Sequence, residues 1–137
     1  MLESSTHHAW SGLAFERVSM LHVEQIKSAL GIAGVATMAY AWSAPSTSDG
    51  RRGAQVDIII DRNDNVINLC ECKFSKQEYS LTHEDEMSIA NKVERVGEVS
   101  SKHKSIHVVL VTTFGVVNNA YIDVVQRVIT AEDLFKT

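Results

Sequence analysis

Asp57 and, fourteen residues on, Glu71-Cys72-Lys73 are the side chains in this sequence best suited to joint chemistry. Each lies in an apolar run of strand character. The stretch between them, Asp61-Arg62-Asn63-Asp64-Asn65-Val66, reads as a turn, so the two runs pair as an antiparallel hairpin. Side chains alternate along a strand, which puts Leu69, Glu71 and Lys73 on one face and Cys70, Cys72 and Phe74 on the other. In the first run Gln55, Asp57 and Asp61 share a face, opposite Val56, Ile58 and Ile60. A three-residue loop at Asn63 to Asn65, with Asn65 left-handed, opposes Asp57 to Glu71 and Gln55 to Lys73, with paired Cβ atoms about 5 Å apart. Two partly buried carboxylates at that spacing repel unless they share a proton, a neighbouring ammonium or a divalent cation. Hard oxygen donors favour Mg²⁺ or Mn²⁺ over Zn²⁺, and the carbonyl of Cys72 adds another oxygen. Lys73 then stands beside the attacking water, where it positions the nucleophile or offsets negative charge during attack on phosphorus.

The elements that must hold these groups follow from periodicity. Leu13 to Leu30 carries a wide apolar arc at helical spacing, which predicts one largely buried helix capped by Gly31. Val35 to Trp42, Ala54 to Asp61 and Val66 to Phe74 read as strands, with Ser43 to Gly53 a polar, mobile loop. Thr82, with Asp85 three residues on, starts a helix whose Ile89, Val93 and Val96 face the core. Ile106 to Thr112 and Val124 to Ile129 are further strands, and Thr130 to Phe135 a short capped helix. This order predicts an α/β domain with a central mixed sheet flanked by helices.

Composition bounds the function classes. The chain has 137 residues, 45% apolar and 22% charged, enough for one domain with a single core; residues 1–9 read as a segment without structure. A net charge of -4 argues against gripping polyanions over the whole surface. Local basic groups remain: Arg51 and Arg52 just before the Asp57 strand, and Lys92 on the later helix, are candidate contacts to nucleic-acid phosphates. Cys70 and Cys72 are too close together to staple distant segments, and the six histidines follow no zinc spacing. Without a signal sequence or a membrane segment, the expectation is a soluble cytoplasmic domain.

The acidic pattern resembles the core of the PD-(D/E)XK nuclease superfamily: Asp57, then Glu71-Cys72-Lys73 in a hairpin, preceded by helical Glu16. More narrowly, Gly12-Leu13-Ala14-Phe15-Glu16, Gly53-Ala54-Gln55-Val56-Asp57, Asn68-Leu69-Cys70-Glu71-Cys72-Lys73-Phe74, Thr112-Thr113-Phe114-Gly115 and Asp133-Leu134-Phe135 resemble the C-terminal domain of a family of bacterial and archaeal P-loop ATPases. The resemblance implies a restriction-endonuclease-like core. It makes Glu16, Asp57 and Glu71 acidic metal-site positions and Lys73 the motif lysine, with Gln55 and Lys92 as supporting positions. The activity it implies is Mg²⁺- or Mn²⁺-dependent phosphodiester hydrolysis in nucleic acid, DNA foremost. Its alternative is a non-catalytic binding or regulatory module appended to an ATPase. The chain has no G-x-x-x-x-G-K-[ST] motif, so an N-terminal P-loop domain would be a partner outside this sequence. Cutting both strands of a duplex would call for a homodimer.

Overall fold

The computed structural model describes residues 4–136. Helix α1 (Ser4–Leu21) is followed by α2 (Val23–Ala29), then β1 (Thr37–Ala44), β2 (Ala54–Arg62), β3 (Val66–Lys73), α3 (His83–Val99), β4 (Ser105–Thr112), β5 (Arg127–Thr130) and α4 (Ala131–Leu134). The strands form one mixed sheet in the order β1-β2-β3-β4-β5. β1, β2 and β3 are antiparallel, whereas β3, β4 and β5 run parallel. The architecture is the expected α/β one, with helices on both faces. Ile58, Ile60, Cys70, Val109 and Val111 pack with Phe15, Ile26 and Leu134 from α1, α2 and α4. On the other face, Val96 of α3 packs on Val56, Ile59 and Leu69, and Ile89 on Val108 and Leu110. Among the described residues no helix is long and apolar enough to cross a membrane.

From Ile58 to Asp61 the hairpin register is the one expected, while the expected pairs of Asp57 with Glu71 and Gln55 with Lys73 lie beyond the paired stretch. Ile58 pairs with Cys70 and Ile59 with Leu69 around a three-residue loop whose last member, Asn65, has φ +68°. Asparagine tolerates this left-handed conformation better than other side chains because its short amide bonds locally. The Thr82–Asp85 capping box starts α3 as expected, and Thr130 with Asp133 starts α4 in the same way.

Five expectations are corrected. The segment through residue 9 is helical from Ser4, and residues 1–3 lie outside the described residues. The single helix to Leu30 breaks at His22 (φ -110°, ψ 31°), whose ring nitrogen lies 2.7 Å from the Val18 carbonyl. The break lets Val18 and Met20 on one side, and Val23 and Ile26 on the other, pack onto the same core. The strand expected over Val124–Ile129 pairs only as Arg127–Thr130, because Ile122–Val124 forms a 3-10 turn. The stretch expected to be a mobile loop is partly strand and elsewhere pinned. β1 runs on to Ala44, the Arg95 guanidinium donates to the Arg52 and Pro45 carbonyls at 2.5 and 3.2 Å, and the Asn91 amide donates to the Gly53 carbonyl at 3.0 Å. A Cβ at Gly53 would stand 3.0 Å from the Ser46 nitrogen, a close approach that favours glycine.

The alternation expected of Ala54 to Asp61 is interrupted at the site. Tyr40 pairs with Ile59 and Trp42 with Val56, so Ala41 alone faces Asp57 and Ile58, a β-bulge in β2. Val56 therefore joins the α3-side cluster instead of sharing a face with Ile58 and Ile60.

Asn65→Val should lower the unfolding free energy by about 1 kcal/mol in urea titrations, while Asn65→Gly should change it by less than roughly half of that. Equal effects of the two replacements would contradict a turn set by the left-handed residue.

Candidate active site

The bulge falls on the residue that sequence reasoning singles out. Bulges bend a strand and re-aim a side chain. Here the ladder between β2 and β3 runs only as far as Ile58 and Cys70, and the Asp57 carboxylate takes up the next contact, accepting the Cys72 N–H at 2.8 Å. The strands part beyond this point. A cleft of about 370 Å³ opens there, lined by Glu16, Gln55, Asp57, Glu71, Lys73 and Lys92, with Gly12, Leu13 and Cys72.

Glu16 arrives from α1, positioned by its neighbour Phe15 in the core and by Ser19, whose hydroxyl donates to the Phe15 carbonyl at 2.8 Å. Its carboxyl lies in the cleft with Asp57, close enough for the Asp57 charge to act on it. Burial raises its pKa above the ordinary carboxylate value, and the Asp57 charge and hydrogen bond raise it further.

Glu71 is only 3% exposed. Its Oε1 receives the Lys92 ammonium from α3 at 2.5 Å. Its Oε2 is buried with no hydrogen-bond partner, the one such side-chain oxygen or nitrogen among the described residues. Burial raises the Glu71 pKa, Lys92 opposes that shift, and Asp57 adds to it. An orphaned carboxylate oxygen beside a second carboxylate has the chemistry to accept a proton or a hard cation. Among the described residues no three His, Cys, Asp or Glu side chains form a ready-made metal cluster. The fit to Mg²⁺ or Mn²⁺ therefore rests on Asp57 and Glu71, with Glu16 one contact away.

The other expected residues are distributed as follows. Lys73 lies 3.5 Å from Asp85 of α3 and 5.8 Å from the centroid of the Tyr79 ring, at the cleft wall. Gln55 is exposed on the cleft rim. Cys72 commits its N–H to Asp57, and its thiol, half-buried, belongs to the α1-side core. Arg51 is engaged by Glu94 at 3.2 Å and by Glu98, and Arg52 by Glu84 at 2.6 Å. Both arginines are thus turned to the carboxylates of α3 and do not line the cleft. Lys92 serves first as counter-charge to Glu71. A larger hollow of about 490 Å³ between α2 and α4 includes Glu24, Gln25 and Lys136 but none of the expected site residues.

Asp85 and Tyr79 are the residues that sequence reasoning passes over. For Asp85 a signal exists: Asp85, Ile89, Lys92 and Val96 recur at four, three and four residues, so an acid and a lysine occupy the core-facing stripe of α3. Polar residues on an apolar stripe need partners, and here the partners are Lys73 and Glu71.

No family model and no curated protein matches the chain. Among solved structures, the crystal structure of protein of unknown function AF1548 is similar, with a TM-score of 0.53 over 85% of this chain at 15% sequence identity. This chain covers 64% of that protein. The likeness is one of fold alone.

The raised carboxyls make stability pH-dependent. Between the ordinary value of 4.5 and the raised values of Glu16 and Glu71, the folded chain holds more protons than the unfolded one. Unfolding free energy should therefore fall as pH rises through that window in metal-free buffer. Glu71→Gln should make the fall shallower in thermal melts taken across pH. A slope unchanged by Glu71→Gln would contradict the placement of Glu71.

Proposed function

We propose that this chain is a divalent-metal-dependent nuclease-like domain that hydrolyses phosphodiester bonds in nucleic acid, with DNA as the expected substrate. The observation that carries the reading is the buried, unpartnered Oε2 of Glu71 in a cleft shared with Asp57. Asp57 and Glu71 would hold Mg²⁺ or Mn²⁺, with Glu16 and the Cys72 carbonyl completing the oxygen donors. When bound, the cation supplies charge neutralisation at the phosphate and activation of the attacking water. The chain's own groups do the rest. Lys73 and Lys92 place positive charge on the wall where negative charge grows at phosphorus, and Gln55 contacts the phosphate or sugar from the rim. Arg51 and Arg52 reach phosphates only by leaving the α3 glutamates. The resemblance to the PD-(D/E)XK core supports the same reading, as does the ATPase-domain likeness for a P-loop partner and a cytoplasmic location. Two copies would act together if both strands of a duplex are cut.

A second reading is favoured by a specific observation: Lys73, Arg51 and Arg52 are each already neutralised by an acid within the chain. On that reading the domain is a non-catalytic module that binds nucleic acid or regulates an attached ATPase.

Calorimetric titration with Mn²⁺, followed by cleavage assays on end-labelled single- and double-stranded DNA, separates the two. Binding and cleavage are both expected for the wild type, and Asp57→Ala should abolish both, a loss of at least about a hundredfold in rate. Metal binding without cleavage would select the regulatory module. Absence of both would overturn the metal site itself.

A further inference from the structure

Asp85 does more than cap α3. Its Oδ2 closes the capping box with the Thr82 N–H at 2.9 Å and also accepts the Tyr79 hydroxyl at 2.8 Å. Its Oδ1 lies 3.5 Å from the Lys73 ammonium, and that ammonium stands 5.8 Å from the centroid of the Tyr79 ring, within cation–π range. A capping residue needs none of these extra contacts and is usually solvated, yet the Asp85 side chain is only 13% exposed.

The parts that meet here are each held by a different segment. The Tyr79 backbone is bridged on both sides, its N–H donating to Gly115 at 2.8 Å and its carbonyl accepting from Val117 at 2.9 Å. Lys73 ends β3 opposite buried Thr112, whose hydroxyl accepts the Gly115 N–H at 2.7 Å. Just beyond Lys73, the Ser75 N–H donates to the Thr113 hydroxyl at 3.1 Å. Ring, carboxylate and ammonium are therefore brought together by backbone that is itself tied down. Lysine otherwise carries its charge on a flexible four-carbon stem, and ordering that stem before the reaction removes its entropy from the barrier.

We propose that Asp85 and Tyr79 are positioning residues that seat the Lys73 ammonium at the wall of the acidic cleft, a role whose catalytic consequence rests on the nuclease reading above. The seat also couples the first turn of α3 to the motif lysine, while Lys92, two turns on, pins Glu71. One helix thereby sets both ammonium groups of the site.

The test reads Lys73 directly, by NMR of the metal-free full chain with isotope-labelled lysine side chains, before any assay of activity. Ring current from Tyr79 should shift the Lys73 Hε resonances upfield in the wild type and in Tyr79→Phe, and Tyr79→Leu should remove the shift. Asp85→Asn keeps an acceptor for the helix cap and should broaden the Lys73 ammonium resonance. In Mn²⁺-supported cleavage, Asp85→Asn should lower kcat about tenfold or more with KM changed less than about twofold, and Asp85→Glu should recover part of the loss. Lys73 resonances that are unshifted in the wild type, or unmoved by Tyr79→Leu and Asp85→Asn, would overturn the seat. A rise in kcat in Asp85→Asn would also overturn it, since Asp85 would then be sequestering the amine. The expected NMR pattern in a wild type that cuts no DNA would sustain the seat and remove the nuclease reading.

Discussion

Glu71 is a carboxylate in the middle of a folded sheet, and much of the site end of this molecule answers to it. A buried, unpaired carboxylate carries a penalty of several kcal/mol, so either the group takes a proton or the fold supplies positive charge. Half of that demand is met by Lys92, which reaches across from α3 to Oε1. The other half, at Oε2, is left open beside Asp57. Asp57 and Glu16 line the same cleft, so three acids meet there and the Lys92 ammonium pairs with only one of them.

The backbone explains why these groups meet at all. The bulge opposite Ala41 makes β2 one residue longer than its partner at Asp57, and the hairpin ladder ends at the next residue. Asp57 then binds the Cys72 N–H, a contact that ladder backbone would otherwise make. Strand parting both opens the cleft and keeps its floor hydrogen-bonded. α3 closes the arrangement from one side: its core stripe anchors it through Ile89 and Val96, and the polar members of the same stripe, Asp85 and Lys92, address Lys73 and Glu71.

What is legible in the residues is local. The hairpin register follows from alternation and from Asn65, and the α3 start from Thr82 and Asp85, since each depends on neighbours within a few positions. The bulge is not legible, because Ala54 to Asp61 reads as unbroken alternation and the extra residue exists only relative to β1. The break at His22 interrupts an apolar arc that continues through it, so periodicity cannot reveal it. Residues 45–53 read as mobile because they are polar, while their anchors Asn91 and Arg95 lie some forty residues away. The same distance hides the fate of Arg51 and Arg52, which look like free cations until α3 brings Glu84, Glu94 and Glu98 beside them. Asp57 and Glu71 are readable from type and spacing, and Glu16 only from the resemblance; the partners that tune them are tertiary.

The most direct test of the acid-lined cleft is an anomalous difference map from crystals of the chain grown or soaked with Mn²⁺. A peak at coordination distance from both the Asp57 and Glu71 carboxylates, with Oε2 of Glu71 among the ligands, is the expected result. A map with no peak there at saturating Mn²⁺, or with Mn²⁺ bound only elsewhere on the surface, would contradict the account.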